Sequence, residues 1–133
     1  MPPPRQTGLV ELLGLGESTL SPGVVRTSLV LDERHRNIQG VTHGSVTIAL
    51  LDTAMGHALS GLLAADEFCT TTQLSVQFLR ASRPGDRLEA TGRVIKRGRR
   101  IAYLEGVCVD AASGEEVARA HGTWYVGTVV ARG

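Results

Sequence analysis

The stretch SVTIALLDTAMGHALSGLLA, residues 45–64, predicts a single helix that is apolar on almost every side. Its apolar residues recur at helical spacing, and a second set widens the stripe that they form. The two sets are Val46, Ala49, Leu50, Ala54, Ala58 and Leu62, and then Ile48, Leu51, Met55 and Leu59. A helix of this kind is buried on most sides, because little of its surface suits water. We therefore expect this helix at the centre of the fold.

Strands are predicted on both sides of the central helix. One strand precedes the helix and four follow it, at residues 24–32, 70–80, 88–97, 101–110 and 117–129. These runs are rich in β-branched residues or alternate between apolar and polar side chains, as half-buried strands do. Short turns separate the later strands, which predicts an antiparallel meander. Ahead of them, residues 9–16 predict one or two helical turns that end at glycine.

This order of elements predicts an α+β domain in which a curved antiparallel sheet wraps around one long central helix. One sheet cannot cover such a helix completely, so we expect a partner subunit to complete the cover. The length of 133 residues suits a single domain over residues 1–133, with residues 1–6 expected as a disordered tail.

Composition excludes several classes of protein. With 42% hydrophobic and 20% charged residues, the chain does not have the make-up of a disordered protein. The polar start MPPPRQ predicts no signal peptide, and Asp52 interrupts the longest apolar stretch, which predicts no membrane partner. Cys69 and Cys108 fit no metal spacing, so we expect no metal and a reduced, cytoplasmic setting. His35 also lacks such spacing and is expected at the surface or at the edge of the core.

Asp52 is the only Asp, Glu, Lys or Arg between Asn37 and Ala65. Burial of an unpaired carboxylate is expensive, and the residues one helical turn away carry no charge to pair with it. We expect the Asp52 carboxylate to face a cleft, where it can take part in chemistry. A structural aspartate bonded to loop amides is the alternative, and both interpretations stay open at this point.

The start of the central helix is a second candidate site. His43-Gly44-Ser45 places a glycine where free backbone N–H groups and the positive end of the helix dipole point outward. Glycine lets a ligand approach the backbone closely, so this end can polarise a carbonyl group or hold an oxyanion. The alternative is plain capping, with Thr42 or Ser45 as the N-cap.

A basic cluster forms the third candidate. Residues 80–100 contain eight cations and two acids, which gives a local net charge of +6 in a chain whose total is +1. The run Arg97-Gly98-Arg99-Arg100 concentrates charge at one predicted turn, and arginine forks suit phosphate oxygens. A solvated strand face is the alternative. Nucleic acid is not an expected partner, because this stretch has no aromatic residue on which bases stack.

Three segments resemble one known family. They are NIQGVTHGSVTIALLDTAMGHAL (Asn37–Leu59), LSVQFLRASRPGDRLEATGRVIKRGRR (Leu74–Arg100) and VARAHGTW (Val117–Trp124). Together they resemble the hotdog-fold acyl-CoA thioesterases of the PaaI-like (phenylacetate-pathway) group, over about residues 22–127. The resemblance implies a five-turn helix wrapped by an antiparallel sheet, two sheets that pair in a homodimer, and dimers that often form a homotetramer.

The resemblance also implies four catalytic residues. Asp52 resembles the catalytic carboxylate, which attacks the thioester or activates water. Gly44 resembles the residue whose backbone N–H polarises the thioester carbonyl, and His43 resembles the loop histidine that shapes the site. Asn37 resembles the loop amide that contacts the thioester or orients water. Asp52 is expected to face the loop of the other subunit, so that the site exists only in the dimer.

Substrate binding is carried over in the same way. Arg99 and Arg100, with Gly98 in the same turn, resemble the turn that meets the nucleotide phosphates of CoA. The hydroxyl that the family often has one turn after the carboxylate is missing here. Thr71 or Thr72 is expected to supply a hydroxyl that holds water instead.

The resemblance implies hydrolysis of a medium-chain or aromatic acyl-CoA to the free acid and CoA, and no sequence motif for a metal or a cofactor is present. One alternative is a hydratase or dehydratase of acyl thioesters, which needs a histidine and an acid placed for proton transfer. Another is a non-catalytic domain that binds or senses acyl-CoA. The solitary carboxylate favours the hydrolase, because a mere binding pocket gains little from it.

Overall fold

The computed structural model describes residues 8–129 as one sheet around one long helix, and the tail predicted at residues 1–6 lies outside the described residues. The elements are α1 (Leu9–Leu13), β1 (Gly16–Ser21), β2 (Val24–Val30), α2 (Gly44–Ser60), β3 (Glu67–Phe78), β4 (Arg87–Arg97), β5 (Ile101–Asp110) and β6 (Glu116–Thr128). A 3-10 turn (Glu33–His35) lies between β2 and α2. Within the described range, neither helix has the length and hydropathy of a segment that crosses a bilayer.

All neighbouring strands pair antiparallel, in the order β1-β2-β4-β5-β6-β3. β4, β5 and β6 form the predicted meander, and β5 has the predicted bounds. The meander prediction is wrong for β3, which pairs with β6 and forms the far edge of the sheet. The segment between β3 and β4, residues 79–86, is long enough to carry the chain across the end of the sheet. The predicted α+β hotdog architecture is confirmed.

β1 is a strand that the sequence analysis does not predict. Its residues, GESTLS, are all exposed, so no alternation of apolar side chains marks them. The strand forms because the two-residue turn Pro22-Gly23, with Gly23 at φ 77°, folds the chain back onto β2. α2 is also shorter than predicted, because it ends at Ser60, before the capping residue Gly61.

The core lies between α2 and the concave face of the sheet. Its largest buried apolar side chains come from α2, three strands and the segment after β2: Leu31, Leu50, Leu51, Met55, Leu59, Leu88, Leu104 and Trp124. Truncation of a side chain of this kind to alanine costs about 2–5 kcal/mol. Gly92 of β4 permits the close approach, since a Cβ there would lie 2.5 Å from backbone atoms of Ala54 and Met55. This contact fixes the height of the helix above the sheet.

One stripe of α2 stays open to solvent. Ser45 and Ile48 are exposed, and Asp52 further along the same face is half-buried. These positions are three and four residues apart, so they lie on one side of the helix. The sheet covers only the opposite face of the helix, as expected for a single chain, and the cover by a partner subunit stays a prediction.

Candidate functional site

Asp52 and Thr71 form a direct contact between α2 and the edge strand β3. The hydroxyl of Thr71 donates a hydrogen bond to Oδ1 of Asp52 at 2.7 Å. Thr71 is exposed and Asp52 is half-buried, so both groups are reachable from outside the chain. The solitary acid of the sequence thus lies on the open stripe of the helix. Within residues 8–129, its carboxylate has one hydrogen-bond partner, the hydroxyl of Thr71, and no bond to a loop amide.

A β-bulge decides which of the two threonines makes this contact. The register between β3 and β6 runs from Thr71 opposite Trp124 directly to Gln73 opposite Thr123, so Thr72 is an extra residue. The Thr72 hydroxyl turns away and donates to the carbonyl oxygen of Thr123 at 3.0 Å. Of the two candidates, only Thr71 contacts Asp52.

His43 caps the start of α2. Its Nδ1 accepts a hydrogen bond from the Ser45 N–H at 3.1 Å, and its carbonyl oxygen accepts one from the Val46 N–H at 2.9 Å. The capping alternative that named Thr42 or Ser45 is therefore wrong about the residue, because the imidazole performs this task. The Gly44 N–H has no hydrogen-bond partner within residues 8–129 and remains available at the positive end of the helix.

Gly44 borders a cleft of about 450 Å³, which also runs along Phe78 and the segment that follows β3. A Cβ at residue 44 would lie 3.3 Å from the ring of Phe78. The glycine therefore preserves access to its own N–H beneath an aromatic side chain that is 53% exposed. This cleft has room for part of a small-molecule ligand.

Asn37 begins the loop that leads into α2. Its Oδ1 accepts hydrogen bonds from the N–H groups of Gln39 at 2.8 Å and Val41 at 3.3 Å, so the side-chain oxygen is used by the loop itself. Only the amide N–H₂ group remains free to donate. Asn37 and His43 share an open cleft of about 480 Å³ with the fully exposed Ile38.

One chain does not bring the two halves of the predicted site together. Gly44 and Asp52 are eight residues apart on the same helix, which is about 12 Å along its axis at 1.5 Å per residue. Asp52 lines neither the cleft at Gly44 nor the cleft at Asn37. A thioester carbonyl that contacts the Gly44 N–H is therefore out of reach of the Asp52 carboxylate of the same chain.

The predicted phosphate turn connects β4 to β5, and in the folded chain it lies beside the start of β3 and the end of β6. Arg99 and Arg100 are exposed and line a polar cleft of about 350 Å³ together with Glu67 and Tyr125. The turn is tight, because a Cβ at Gly98 would lie 2.4 Å from the carbonyl oxygen of residue 101. Neither Arg99 nor Arg100 forms an ion pair within the described range, so both forks are available to a ligand.

The other members of the basic cluster divide into paired and unpaired cations. Arg80 pairs with Glu115 at 2.6 Å, and Arg97 pairs with Glu67 at 2.6 Å. No local pattern in the sequence marks Glu67 as the partner of Arg97, because the two residues are 30 positions apart. Part of the local positive charge is thus neutralised by acids from outside the cluster.

His35 is buried, with 2% of its surface exposed, and the prediction of a surface or edge position is wrong. Its Nδ1 accepts the N–H of Asp32 at 2.9 Å, and its Nε2 lies 3.1 Å from the carbonyl oxygen of Leu13. Both ring nitrogens are therefore used to hold the loop before α2. Hydrogen bonds and the charge of Arg34 lower the pKa of the neighbouring Asp32 to about 2.

Comparisons with known proteins identify the family of the chain. The model of the thioesterase superfamily matches residues 39–118, a segment that contains Gly44, Asp52 and the turn at residues 97–100. Human acyl-coenzyme A thioesterase 13 is 25% identical over 123 residues, which cover 85% of this chain and 82% of that protein.

Solved structures agree as well. A variant of the phenylacetic acid degradation protein PaaI from Thermus thermophilus is 26% identical, with a TM-score of 0.80 over 87% of this chain and 96% of that one. Thioesterase HI1161 from Haemophilus influenzae has a TM-score of 0.87 over 94% of this chain and 86% of that one, which at 22% identity shows the shared fold. The expected family and its reaction class, thioester hydrolysis, are confirmed. The chain therefore belongs to the thioesterase superfamily and is similar to its PaaI-like members.

Proposed function

We propose that this protein hydrolyses medium-chain or aromatic acyl-CoA thioesters to the free acid and CoA. The observation that carries the proposal is the placement of Asp52 on the open stripe of α2, where its carboxylate accepts a hydrogen bond from the Thr71 hydroxyl. A carboxylate in this position is accessible to substrate and is held in a fixed orientation. The cytoplasmic setting expected from the two unpaired thiols belongs to the same proposal.

The chemistry follows from the two oxygens of the carboxylate. Thr71 occupies Oδ1, which leaves Oδ2 to take a proton from water, while the Thr71 oxygen can still accept a hydrogen bond from that water. Attack on the thioester carbon creates an oxyanion, which the Gly44 N–H stabilises. Collapse of this intermediate breaks the C–S bond, and the leaving CoA thiolate takes the proton from Asp52, which regenerates the carboxylate. Direct attack by Asp52, followed by hydrolysis of the anhydride, uses the same placement.

A second copy of the chain supplies the missing half of the site. β3 is 12 residues long and lies at an edge of the sheet, with one side of its backbone unpaired within residues 8–129. Antiparallel pairing of β3 with its copy in a homodimer would continue the sheet and place the two helices side by side in opposite directions. The end of one helix then meets the middle of the other, so that Gly44 of one chain faces Asp52 of its partner. Pairing of two such dimers would give a homotetramer.

The loop before α2 completes this half of the site. The free amide of Asn37 can donate to the thioester or to water, and the imidazole of His43 shapes the N-terminal end of the helix. The carbonyl group would therefore meet donors from one subunit and the carboxylate from the other.

The nucleotide end of CoA is assigned to Arg99 and Arg100. Their cleft is lined by Glu67, which precedes Thr71 by four residues on β3, or about 13 Å at 3.3 Å per residue. This separation allows the extended pantetheine arm to reach from the phosphates to the carboxylate. Guanidinium forks bind phosphate oxygens with two parallel hydrogen bonds. Gly98 and Thr72 serve this arrangement indirectly, through the tight turn and the bulge.

A thiol-release assay over a panel of acyl-CoA substrates tests the proposed activity. Release of CoA from medium-chain or aromatic thioesters supports hydrolysis. Binding of acyl-CoA without any release supports a sensing domain instead, and hydration of an enoyl-CoA without thiol release supports a hydratase.

Mixed dimers test whether the site is shared between subunits. Asp52→Asn removes the carboxylate, and Gly44→Pro removes the N–H, so each variant alone is expected to be inactive. In a dimer of one chain of each kind, one of the two sites contains an intact Asp52 and an intact Gly44. Mixing the two inactive variants should therefore restore activity, whereas a site within one chain would stay inactive.

A further inference from the structure

Arg97 is the only cation of the turn at residues 97–100 that pairs with an acid within the described range. Its Nη2 donates to both carboxylate oxygens of Glu67, at 2.6 Å each. Its Nη1 donates to the carbonyl oxygens of Gly98 at 2.6 Å and Arg99 at 3.1 Å. The guanidinium is therefore used inside the chain, and Arg97 is not available to bind a phosphate.

Glu67 holds this guanidinium from the other side. It is the first residue of β3, and its Oε1 also accepts the N–H of Ala64 at 2.8 Å. The hydrogen bond from Arg97 lowers the pKa of Glu67, which keeps the carboxylate ionised. β3 and β4 are separated in the sheet by β5 and β6, so this pair joins two strands that no backbone ladder joins.

The backbone of the turn is fixed at four points. Arg97 binds two of its carbonyl oxygens, the Gly98 N–H donates to the carbonyl oxygen of Ile101 at 2.9 Å, and the Val126 N–H donates to that of Arg100 at 2.7 Å. The exposed side chains of Arg99 and Arg100 are therefore attached to a backbone that is held rigid. A rigid backbone reduces the conformational entropy that the two guanidinium groups lose when they bind a ligand.

We infer that Glu67 and Arg97 are positioning residues for the two arginines that bind the phosphates of CoA. This inference rests on the proposed function. The pair acts in two ways. Held by Glu67, the Arg97 guanidinium fixes the backbone of the turn, and its charge neutralises the Glu67 carboxylate, which lines the same cleft. Without Arg97, an unpaired negative charge would face the phosphates and oppose their binding.

The test compares two substrates that carry the same acyl group, one on CoA and one on pantetheine, which lacks the nucleotide phosphates. For Arg97→Met, we expect KM for acyl-CoA to rise about tenfold, the size of one lost charge-assisted hydrogen bond. We expect kcat to stay unchanged, and both constants for the pantetheine thioester to stay unchanged.

Two further variants separate the two effects of the pair. Adding Glu67→Gln to Arg97→Met removes the unpaired carboxylate and should recover part of the lost affinity. Arg97→Lys can still neutralise Glu67 but cannot bind both carbonyl groups of the turn, so its KM should lie between those of the wild type and Arg97→Met.

Arg93→Met is the matched control. Arg93 is an exposed cation of the same strand with no ion pair within residues 8–129, and its loss changes the net charge equally. Its KM should stay at the wild-type value, and melting temperatures verify folding. An equal rise of KM for both thioesters, or an equal effect of Arg93→Met, would overturn the inference.

Calorimetry with free CoA separates this inference from the proposed function. If the wild type hydrolyses no acyl-CoA, the proposed function fails, while weaker binding of CoA by Arg97→Met still supports the positioning role. Equal binding of CoA by the wild type and Arg97→Met would refute that role.

Discussion

The two edges of the sheet differ in ways that a symmetrical view of the fold would not suggest. β1 is six residues long, all of them exposed, and it is irregular at Thr19 to Ser21. The carboxylate of its Glu17 contacts the imidazole of His57, which connects this edge to α2. β3 is 12 residues long, and it contacts Asp52 through Thr71 and Gly44 through Phe78.

β1 is thus poorly suited to pair with another chain, whereas β3 is well suited to it. Short length, charge and irregularity are features that protect a strand from pairing with another chain. β3 also has a bulge, at Thr72, but it is twice as long as β1, and its one charged residue is the first. It also contacts both halves of the candidate site. We therefore expect substitutions on β3 to affect catalysis and matched substitutions on β1 to leave it unchanged.

The largest effect is expected for Asp52→Asn. The amide keeps the size of the side chain but cannot take a proton or attack a carbonyl carbon, so kcat should fall by at least about 10²–10⁴-fold. Thiol release from an acyl-CoA measures the loss. Asp66→Asn, an exposed acid in the segment before β3, is the control and should keep the wild-type kcat. Unchanged turnover in Asp52→Asn would refute the catalytic assignment.

Gly44→Pro is expected to have the next largest effect. Residue 44 is the first of α2, where proline is well tolerated, and His43 has ψ 131°, which suits a residue before proline. The substitution removes the N–H that faces the oxyanion and should lower kcat by about 10²–10³-fold. Circular dichroism should show an intact helix. Gly44→Ala brings a Cβ close to Phe78 but keeps the N–H, so a similar loss in that variant would contradict the explanation.

Lysines at the two edges give a smaller and more direct test of the comparison. Gln73→Lys combined with Gln77→Lys places two charges on β3, which should disfavour pairing of this strand with its copy. Sedimentation velocity should show dissociation of the dimer, and activity should fall in proportion to the dimer that remains. Ser18→Lys combined with Leu20→Lys makes the same change on β1 and should alter neither quantity. Equal effects of the two double variants would contradict the proposal that β3, and not β1, pairs with a second copy.

The smallest effect is expected for the pH dependence of thermal stability that the pair of Glu67 and Arg97 contributes. The pKa of Glu67 is lowered in the folded protein, so its pairing with Arg97 stabilises the fold above the ordinary glutamate pKa of 4.5. This contribution is lost as the pH falls through the lower folded value. The melting temperature of the wild type should exceed that of Glu67→Gln at neutral pH, and the gap should close in acid. A gap that widens in acid would contradict this.

Much of the fold follows from local sequence signals. The central helix and the strands β4 to β6 were predicted because apolar periodicity and turn residues act over a few positions. β1 has no such signal, since its six residues are all exposed. The position of β3 beside β6 depends on pairing between residues far apart in the sequence, which local patterns do not encode.

In the candidate site, too, some residues are marked by local sequence signals and others only by the folded chain. Asp52 stands out in the sequence because no other charge lies near it, and the helix start stands out because of its glycine. The choice between Thr71 and Thr72 required the register of β3 on β6, and the pairing of Arg97 with Glu67 required the folded chain. The predicted roles of Asn37 and His43 remain proposals, although the structure places both residues in one cleft.

The extra residue at Thr72 divides β3 into two halves whose inward-facing positions are out of step by one residue. Before the bulge, Cys69 and Thr71 face the helix, and after it Leu74 and Val76 do so, because one inserted residue reverses the alternation of the strand. A regular pairing of the same sequence, without the bulge, would turn the polar side chains of the second half inward. The bulge therefore keeps apolar side chains in the core on one half of the strand, while the exposed Thr71 on the other half keeps its contact with the carboxylate of the helix.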